Sequence, residues 1–434
     1  MIINIKDRLS YEFITDNSKE CNKNGAFLLT KLNERYLNDA KNNGCVNFIS
    51  AVEVLKILGL NEGISIIGIT GTNGKTTSAA ALYSLLLDLD KKVAMQGTRG
   101  FFINEKKVTK KSLTTPTILE TIKHLKDAKE QGCSYFITEV SSHAIVQNRI
   151  DGLNFILKIF TNITQDHLDF HKSLENYIQV KSSFFDDECK KLINKDDTKI
   201  RYNKKNCMTY GVENPSTYKV LAYALDDGIS AAISKIEKVY EFSSPLHGFF
   251  NLYNILAAIG AADMLGIAPM QEICDKVSNF AGVEGRMEIV SDNPLIIVDF
   301  AHTPDGMQKV MDSLKNKDII VVFGAGGDRD RDKRAKMGFI ASKYAKKIII
   351  TSDNPRSENP QEIIKEIYEG AKYSKALRVE VDRKKAISEA IKWQEKDEVL
   401  LVLGKGDETY QEINREKFPF DDRIVIRSLI GKIR

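Results

Sequence analysis

An apolar run at residues 64–70 passes directly into Gly71-Thr72-Asn73-Gly74-Lys75-Thr76-Thr77, and a helical pattern opens there. Strand, glycine-rich turn and helix in that order are the setting of a phosphate-binding loop, which commits this part of the chain to an α/β fold. Glycines let backbone N–H groups approach a polyphosphate, and the helix N-terminus adds the positive end of its dipole. In that setting Lys75 reaches the terminal phosphates and Thr76 places its hydroxyl on Mg²⁺. The expectation is ATP or GTP binding.

The neighbouring pattern agrees. Apolar runs at 64–70, 92–96, 135–140 and 155–162 alternate with helical spacing at 76–88 and 119–131. Continuous apolar strands separated by helices predict a parallel sheet covered on both faces. From about 190 to 245 the segments shorten and alternate, as at 222–224 and 231–236, which predicts an antiparallel insertion or sheet extension. A strong helix follows at 251–265. Strands at 295–300, 318–323, 347–351, 377–381 and 398–403, separated by helices at 304–315, 333–344, 360–373 and 383–393, predict a second doubly wound domain. Near the start, 27–29 reads as a strand and 52–58 as a helix. The expected division is a short N-terminal module at 1–62, a central ATP-binding domain at 63–286 and a C-terminal domain at 287–434.

Composition excludes several classes. A length of 434 residues suits two to four domains at about 150 residues each. The net charge of +4 is too small to indicate nucleic acid, and 42% hydrophobic with 28% charged residues excludes a largely disordered chain. No apolar run approaches the ~20 residues that span a bilayer. Charged Lys6, Asp7 and Arg8 fall where a secretory signal needs its apolar stretch. The six cysteines form no CxxC or Cys/His cluster, so zinc and dithiol redox sites have no support, and scattered single cysteines fit the cytoplasm.

Two further segments add carboxylate and imidazole groups at strand ends, where open parallel sheets carry ligand chemistry. They are Phe136-Ile-Thr-Glu139-Val-Ser-Ser-His143 and Thr161-Asn162-Ile-Thr-Gln-Asp166-His167-Leu-Asp169. Glu139 and His167 are candidate Mg²⁺ ligands at adjacent strand ends.

With the phosphate loop, these segments resemble the Mur ligase family, ATP-dependent amide ligases of peptidoglycan precursor synthesis. His247-Gly-Phe-Phe-Asn251-Leu-Tyr-Asn254, Gly285-Arg286-Met-Glu288 and Val298-Asp299-Phe-Ala-His302-Thr-Pro304 continue the likeness in family order, so that it runs from about residue 64 to the C-terminus. The resemblance implies a three-domain α/β architecture: a small N-terminal module, a central P-loop parallel-sheet ATPase domain and a Rossmann-like C-terminal domain. It implies that Lys181 is carbamylated, turning a cation into an oxygen ligand for Mg²⁺ beside Thr76, Glu139 and His167. It also implies that Asn251 or Asn254 contacts adenine, Arg286 the phosphates and Asp299 the nucleotide. For a UDP-MurNAc-dipeptide it points to Ser18, Thr114, Thr115, Ser141, Gln147 and Arg149, whose hydroxyl, amide and guanidinium groups suit hydroxyls and carboxylates.

Asp353-Asn354-Pro355-Arg356 resembles the family's motif for adding meso-diaminopimelate as the third residue. Diaminopimelate carries a distal carboxylate that lysine lacks, and an arginine fork binds it at two points while repelling the ammonium of lysine. Arg329, Gly404 and Glu408 match the same amino-acid pocket, with Glu408 placed to hold the distal ammonium. The sequence departs from the family pattern at Leu113, where some relatives have a substrate-contacting Asn, and at Asp407, where a His is usual. The N-terminal module is also short. The substrates implied are ATP, UDP-MurNAc-L-Ala-D-Glu and meso-diaminopimelate, with Mg²⁺ as cofactor, in a monomeric cytoplasmic enzyme without nucleic-acid or membrane partners. The alternatives are a family ligase taking L-lysine or a folylpolyglutamate-type substrate, and a non-catalytic P-loop nucleotide switch.

Overall fold

In a computed structural model, residues 1–5, 11–60, 62–109 and 113–431 are described. Lys6, Asp7 and Arg8 lie outside them. Three main sheets follow one another along the chain.

The central sheet has eleven strands, built outward from the phosphate-loop strand Ser65–Thr70. Phe155–Phe160 and Tyr135–Glu139 pair with it in parallel on its two sides. Alternate residues of the loop strand supply two cores. Ile67 and Ile69 pack with the helices Lys75–Asp88 and Phe249–Met264, whereas Ile66 packs with the helix Ile118–Glu130. This period of two explains why the strand reads as an unbroken apolar run: both faces are covered.

Four differences from the sequence reading have simple causes. Glu139 and His167 do not follow adjacent strands, because the phosphate-loop strand stands between theirs. Chain order hides this, since the strand earliest in the chain lies between two later ones. Within 190–245, Lys190–Asn194 and Cys207–Gly211 continue the parallel sheet. Only Tyr218–Ala224, Ile229–Lys235 and Lys238–Ser244 form the antiparallel extension. At the other edge, Gly100–Ile103 and Lys106–Thr109 form a hairpin that the sequence reading lacked, as did the hairpin Tyr410–Ile413 with Glu416–Pro419. Strands of four residues are too short to show a period, and in each hairpin one strand, Lys106–Thr109 or Glu416–Pro419, is mostly exposed.

The N-terminal sheet pairs Ile2–Asn4, Phe13–Thr15, Gly25–Leu28 and Asn47–Ile49. Its Ile14, Ala26 and Leu28 share a core with the helices Ala51–Ile57 and Ile118–Glu130. The C-terminal sheet has six strands. Five are parallel, and Glu288–Asp292 lies antiparallel at one edge.

Strand directions then locate the chemistry. The carboxyl ends of Ser65–Thr70, Tyr135–Glu139 and Phe155–Phe160 feed loops into the same space as the carboxyl ends of Leu295–Asp299, Asp318–Phe323, Lys347–Ile350 and Glu398–Leu403. Two sheets therefore face one cavity with the ends that α/β folds use for ligands.

Candidate active site

That cavity measures about 880 Å³. On the central side it is lined by residues 72–77, Glu139 and His167, and on the C-terminal side by Arg329, Asp353, Asn354, Arg356, Gly404 and Glu408.

Gly74 caps the phosphate-loop helix at φ +84°, and a Cβ there would overlap Asn254 Oδ1, so the turn accepts only glycine without rearrangement. Asn73 is pinned from the neighbouring strand end. Thr161 Oγ1 donates to its carbonyl at 2.6 Å, and its N–H donates to Asn162 Oδ1 at 3.0 Å. Lys75 Nζ donates to the carbonyls of Gly71 and Thr72 at 2.7 and 2.8 Å. Burial pulls the Lys75 ammonium below its usual pKa, while Glu139 and Asp166 oppose the shift.

Glu139 is 2% exposed and accepts hydrogen bonds from Thr76 Oγ1 at 2.9 Å and the Thr98 N–H at 2.9 Å. Burial raises its pKa, opposed by Lys75. His167 occupies the left-handed region at φ +54°, with Nε2 3.3 Å from Asp166 Oδ2. Burial pushes His167 down to about 4, which keeps the imidazole neutral and able to donate a lone pair. Lys181, on the helix Leu174–Ser183, is 1% exposed and stands behind the loop. Its Nζ donates to Gly71 O at 2.9 Å and Thr70 Oγ1 at 3.2 Å. Burial, aided by Lys75, holds this amine well below the usual lysine range.

The donor set suits a hard divalent cation. Glu139 is buried among hydroxyl and N–H donors and makes no ion pair among the described residues; Thr76 adds a hydroxyl oxygen and His167 a neutral nitrogen. No group of three His, Cys, Asp or Glu side chains converges to hold a metal among the described residues. Unmodified Lys181 has no oxygen to add to this set.

Thr114 lines the cavity and bonds Thr98 Oγ1 at 3.1 Å. Thr115 and Ser141 lie behind it. Thr115 Oγ1 donates to Glu139 O at 2.9 Å and accepts from the Ser141 N–H at 2.9 Å, while Ser141 Oγ caps the helix Ser142–Val146. Arg149 Nη1 donates to Thr115 O at 2.9 Å. Arg149 Nε and Gln147 Oε1 are buried without hydrogen-bond partners, and neither residue lines the cavity. Ser18 belongs to the N-terminal sheet module and does not line the cavity.

On the C-terminal side, the Arg286 guanidinium covers the Phe300 ring at 4.1 Å and lies 3.8 Å from Asp407. The unusual Asp407 is thus an ion-pair partner for Arg286. Asp299 lines the cavity, yet its carboxylate accepts the N–H groups of Met287 at 2.8 Å and Ala301 at 2.7 Å, which binds the domain linker to the sheet end. Of the two asparagines, Asn254 lines the cavity and Asn251 stands behind it, accepting from Asn254 Nδ2 at 2.9 Å.

The acceptor-side loops are rigidly held. Arg356 sits at φ +52°, with Nη1 donating to Gly327 O at 2.6 Å and Nε 3.4 Å from Glu412. Glu408 already meets one ammonium, Lys405 at 3.1 Å, and accepts from Asn354 Nδ2 at 2.8 Å. Gly404, at φ +111°, faces Asp353, while Pro355 is outside the lining. Behind them Arg383 forms a fully buried two-point pair with Asp422 at 2.8 and 2.8 Å, and its Nη2 donates to Leu403 O at 2.8 Å.

Asp166, His302, Asp305 and Lys333 are among the lining groups to which the sequence reading gave no role. Asp166 and His302 lie inside motifs already singled out, so strand-end position alone would have found them. Asp305 and Lys333 carry no such mark, because their place depends on how the two sheets face each other.

A phosphate-loop α/β domain opposed across a cleft by a second α/β domain bearing a charged pocket defines an architecture for joining two substrates. Residues 69–262 match the model of the Mur ligase middle domain, and residues 285–406 match that of the Mur ligase glutamate ligase domain. The chain is 53% identical to the UDP-N-acetylmuramoyl-L-alanyl-D-glutamate–2,6-diaminopimelate ligase of Wolinella succinogenes, over 98% of this chain and 97% of the relative. It is 49% identical to the protein of that name from Helicobacter pylori, over 96% and 95%. A solved structure of a ligase of the same name aligns with TM-score 0.68 at 29% identity, covering 99% of this chain and 97% of that one. The chain belongs to the Mur ligase family.

Proposed function

We infer that this protein is an ATP-dependent ligase that adds meso-diaminopimelate to UDP-MurNAc-L-Ala-D-Glu in peptidoglycan precursor synthesis. The observation that carries the acceptor is Arg356 lining the same cavity as the phosphate loop, with Arg329 and Asp353 around it. The site is cytoplasmic in this reading, and no helix among the described residues is long and apolar enough to cross a membrane.

A carboxylate is a poor acyl donor. The γ-carboxylate of the D-Glu end therefore attacks the γ-phosphorus of ATP, an acyl phosphate forms, and ADP leaves with the bridging oxygen. The neutral amine of diaminopimelate then attacks the acyl carbon, and phosphate departs. The protein contributes positioning and charge neutralisation. Lys75, Arg286 and the N–H groups of residues 71–77 hold the phosphates, Asn254 the adenine, and Asp299 fixes the linker against the nucleotide. Thr114, Gln147 and Arg149 receive the dipeptide end, with Thr115 and Ser141 holding that wall, and Ser18 is assigned to uridine. Thr76, Glu139, His167 and a carbamate on Lys181 would hold Mg²⁺, which supplies charge neutralisation on the phosphates. A depressed lysine pKa favours the neutral amine that reacts with CO₂, which supports that modification.

Phosphate release with UDP-MurNAc-L-Ala-D-Glu and ATP tests the reading. Meso-diaminopimelate is expected to support turnover far better than L-lysine. Equal rates overturn the acceptor assignment, and no release with any amine overturns the ligase.

A further inference from the structure

Lys333 is the second residue of the helix Asp332–Tyr344 and lines the cavity, four residues after Arg329 in the chain. Its residue is only 9% exposed. Among the described residues it makes no hydrogen bond and no ion pair, which sets it apart from the other buried cations. Arg334 pairs with Glu358 and Glu366, Arg383 with Asp422, Lys347 with Glu398, and Lys405 with Glu408. Lys75 and Lys181 rest on backbone carbonyls. Asp166, Asp330 and Asp353 act on Lys333 only through space, and Arg329 repels it.

An ammonium in this place is disfavoured three times over. Burial removes its water, no carboxylate lies within contact distance, and a cation in the first turn opposes the helix dipole. Each of these costs is cancelled by an anion arriving in the cavity, and the helix N-terminus then contributes attraction instead of repulsion. Asp166 belongs to the phosphate-loop side and Asp353 to the acceptor side, so the groups that sense Lys333 bracket the place where the two substrates meet.

We propose that Lys333 is a catalytic residue of the C-terminal domain, its ammonium pairing with the phosphoryl oxygens of the γ-phosphate as that group passes from ATP to the substrate carboxylate. This rests on the ligase reading above. In the step, the carboxylate oxygen–phosphorus bond forms, the bond from phosphorus to the β,γ-bridging oxygen breaks, and its electron pair leaves on ADP. Lys333 remains protonated throughout and transfers nothing. The assignment gives the acceptor domain a part in activating the donor, before any amine attacks.

The test compares the wild-type enzyme with Lys333→Met and Lys333→Arg in two assays. One measures diaminopimelate-dependent phosphate release. The other measures hydroxamate formed when hydroxylamine intercepts the acyl phosphate in the absence of diaminopimelate. Lys333→Met is expected to lower both rates together by about a hundredfold, as for loss of one preorganised electrostatic contact. Lys333→Arg should restore part of both. The melting temperature of ligand-free Lys333→Met should equal or exceed that of wild type, because an unpaired buried charge has been removed. Wild-type hydroxamate formation in Lys333→Met, with only amide formation impaired, would overturn the proposal by moving Lys333 to the amine step. A lower melting temperature in both variants with unchanged kcat would overturn it by making Lys333 structural. If the wild-type enzyme forms neither hydroxamate nor amide, the ligase reading itself has failed.

Discussion

The side-chain amide of Asn73, in the phosphate loop, donates to the carboxylate of Asp305 at 2.9 Å. Asp305 lies in the first turn of the helix Pro304–Asp312 in the C-terminal domain, and Thr164 Oγ1 donates to the same oxygen at 3.3 Å. The nucleotide loop thus touches the acceptor domain directly. Asp305→Ala is expected to leave ATP affinity within about twofold while lowering kcat by about fivefold, the scale of one half-exposed charge-assisted bond at about 1 kcal/mol. Nucleotide titration beside steady-state kinetics separates the two effects.

Arg356→Ala should weaken use of diaminopimelate by about 1.5–3 kcal/mol, the worth of a hydrogen bond to a charged group. ATP binding should hardly change, and discrimination against L-lysine should shrink. KM measured for each amine at saturating ATP checks this; equal loss for nucleotide and amine contradicts the assigned role.

Lys181→Ala should abolish most turnover, with partial recovery on adding small carboxylates that place an oxygen where the carbamate would be. The unmodified amine donates to Gly71 O and Thr70 Oγ1, so the phosphate loop also loses a support. Titrating acetate or formate into the variant is the measurement, and unchanged turnover without them removes Lys181 from the chemistry.

His124 predicts an acid limit on stability. Its ring stacks on Phe101 at 4.0 Å and shares a 2.9 Å hydrogen bond with Gln96 Oε1. Burial pushes its pKa down from 6.5 to about 4. Between those values the unfolded chain binds a proton that the folded chain refuses, so stability falls as pH drops through this window. The loss reaches about 3 kcal/mol near pH 4 and is absent above pH 6.5. Urea unfolding at several pH values should show the slope, and His124→Phe should make it shallower by the share of one histidine, with His167 and His171 keeping theirs.

Asp422→Ala removes the two-point partner of the buried Arg383 guanidinium and leaves it only Asp353 at 4.0 Å, which costs about 3–5 kcal/mol. Because Arg383 also holds Leu403 O, diaminopimelate binding should weaken along with thermal stability. Calorimetry on the variant with and without the amine tests both.

The sequence made the parallel strands plain. Asp318–Phe323 and Glu398–Leu403 fall where their apolar runs predicted, because both faces are buried. Glu139 and His167 were legible as strand-end groups, but not the strand lying between theirs. Lys181 looks like an ordinary helical lysine, and its burial appears only when Leu174–Ser183 packs behind Thr70 and Gly71. Asp305 and Lys333 depend on how two sheets face each other, which brings Asp305 against Asn73 from 232 residues away in the chain, a relation that no local pattern encodes.

The facing carboxyl ends of the two sheets separate what must stay constant from what can change. Activation is built into one set of loops, and choice of amine into three others at 324–331, 351–358 and 404–408, each springing from its own strand. Substitutions in those three can retarget the product while the energy-coupling half keeps its geometry, so a single scaffold can lengthen different peptides one residue at a time.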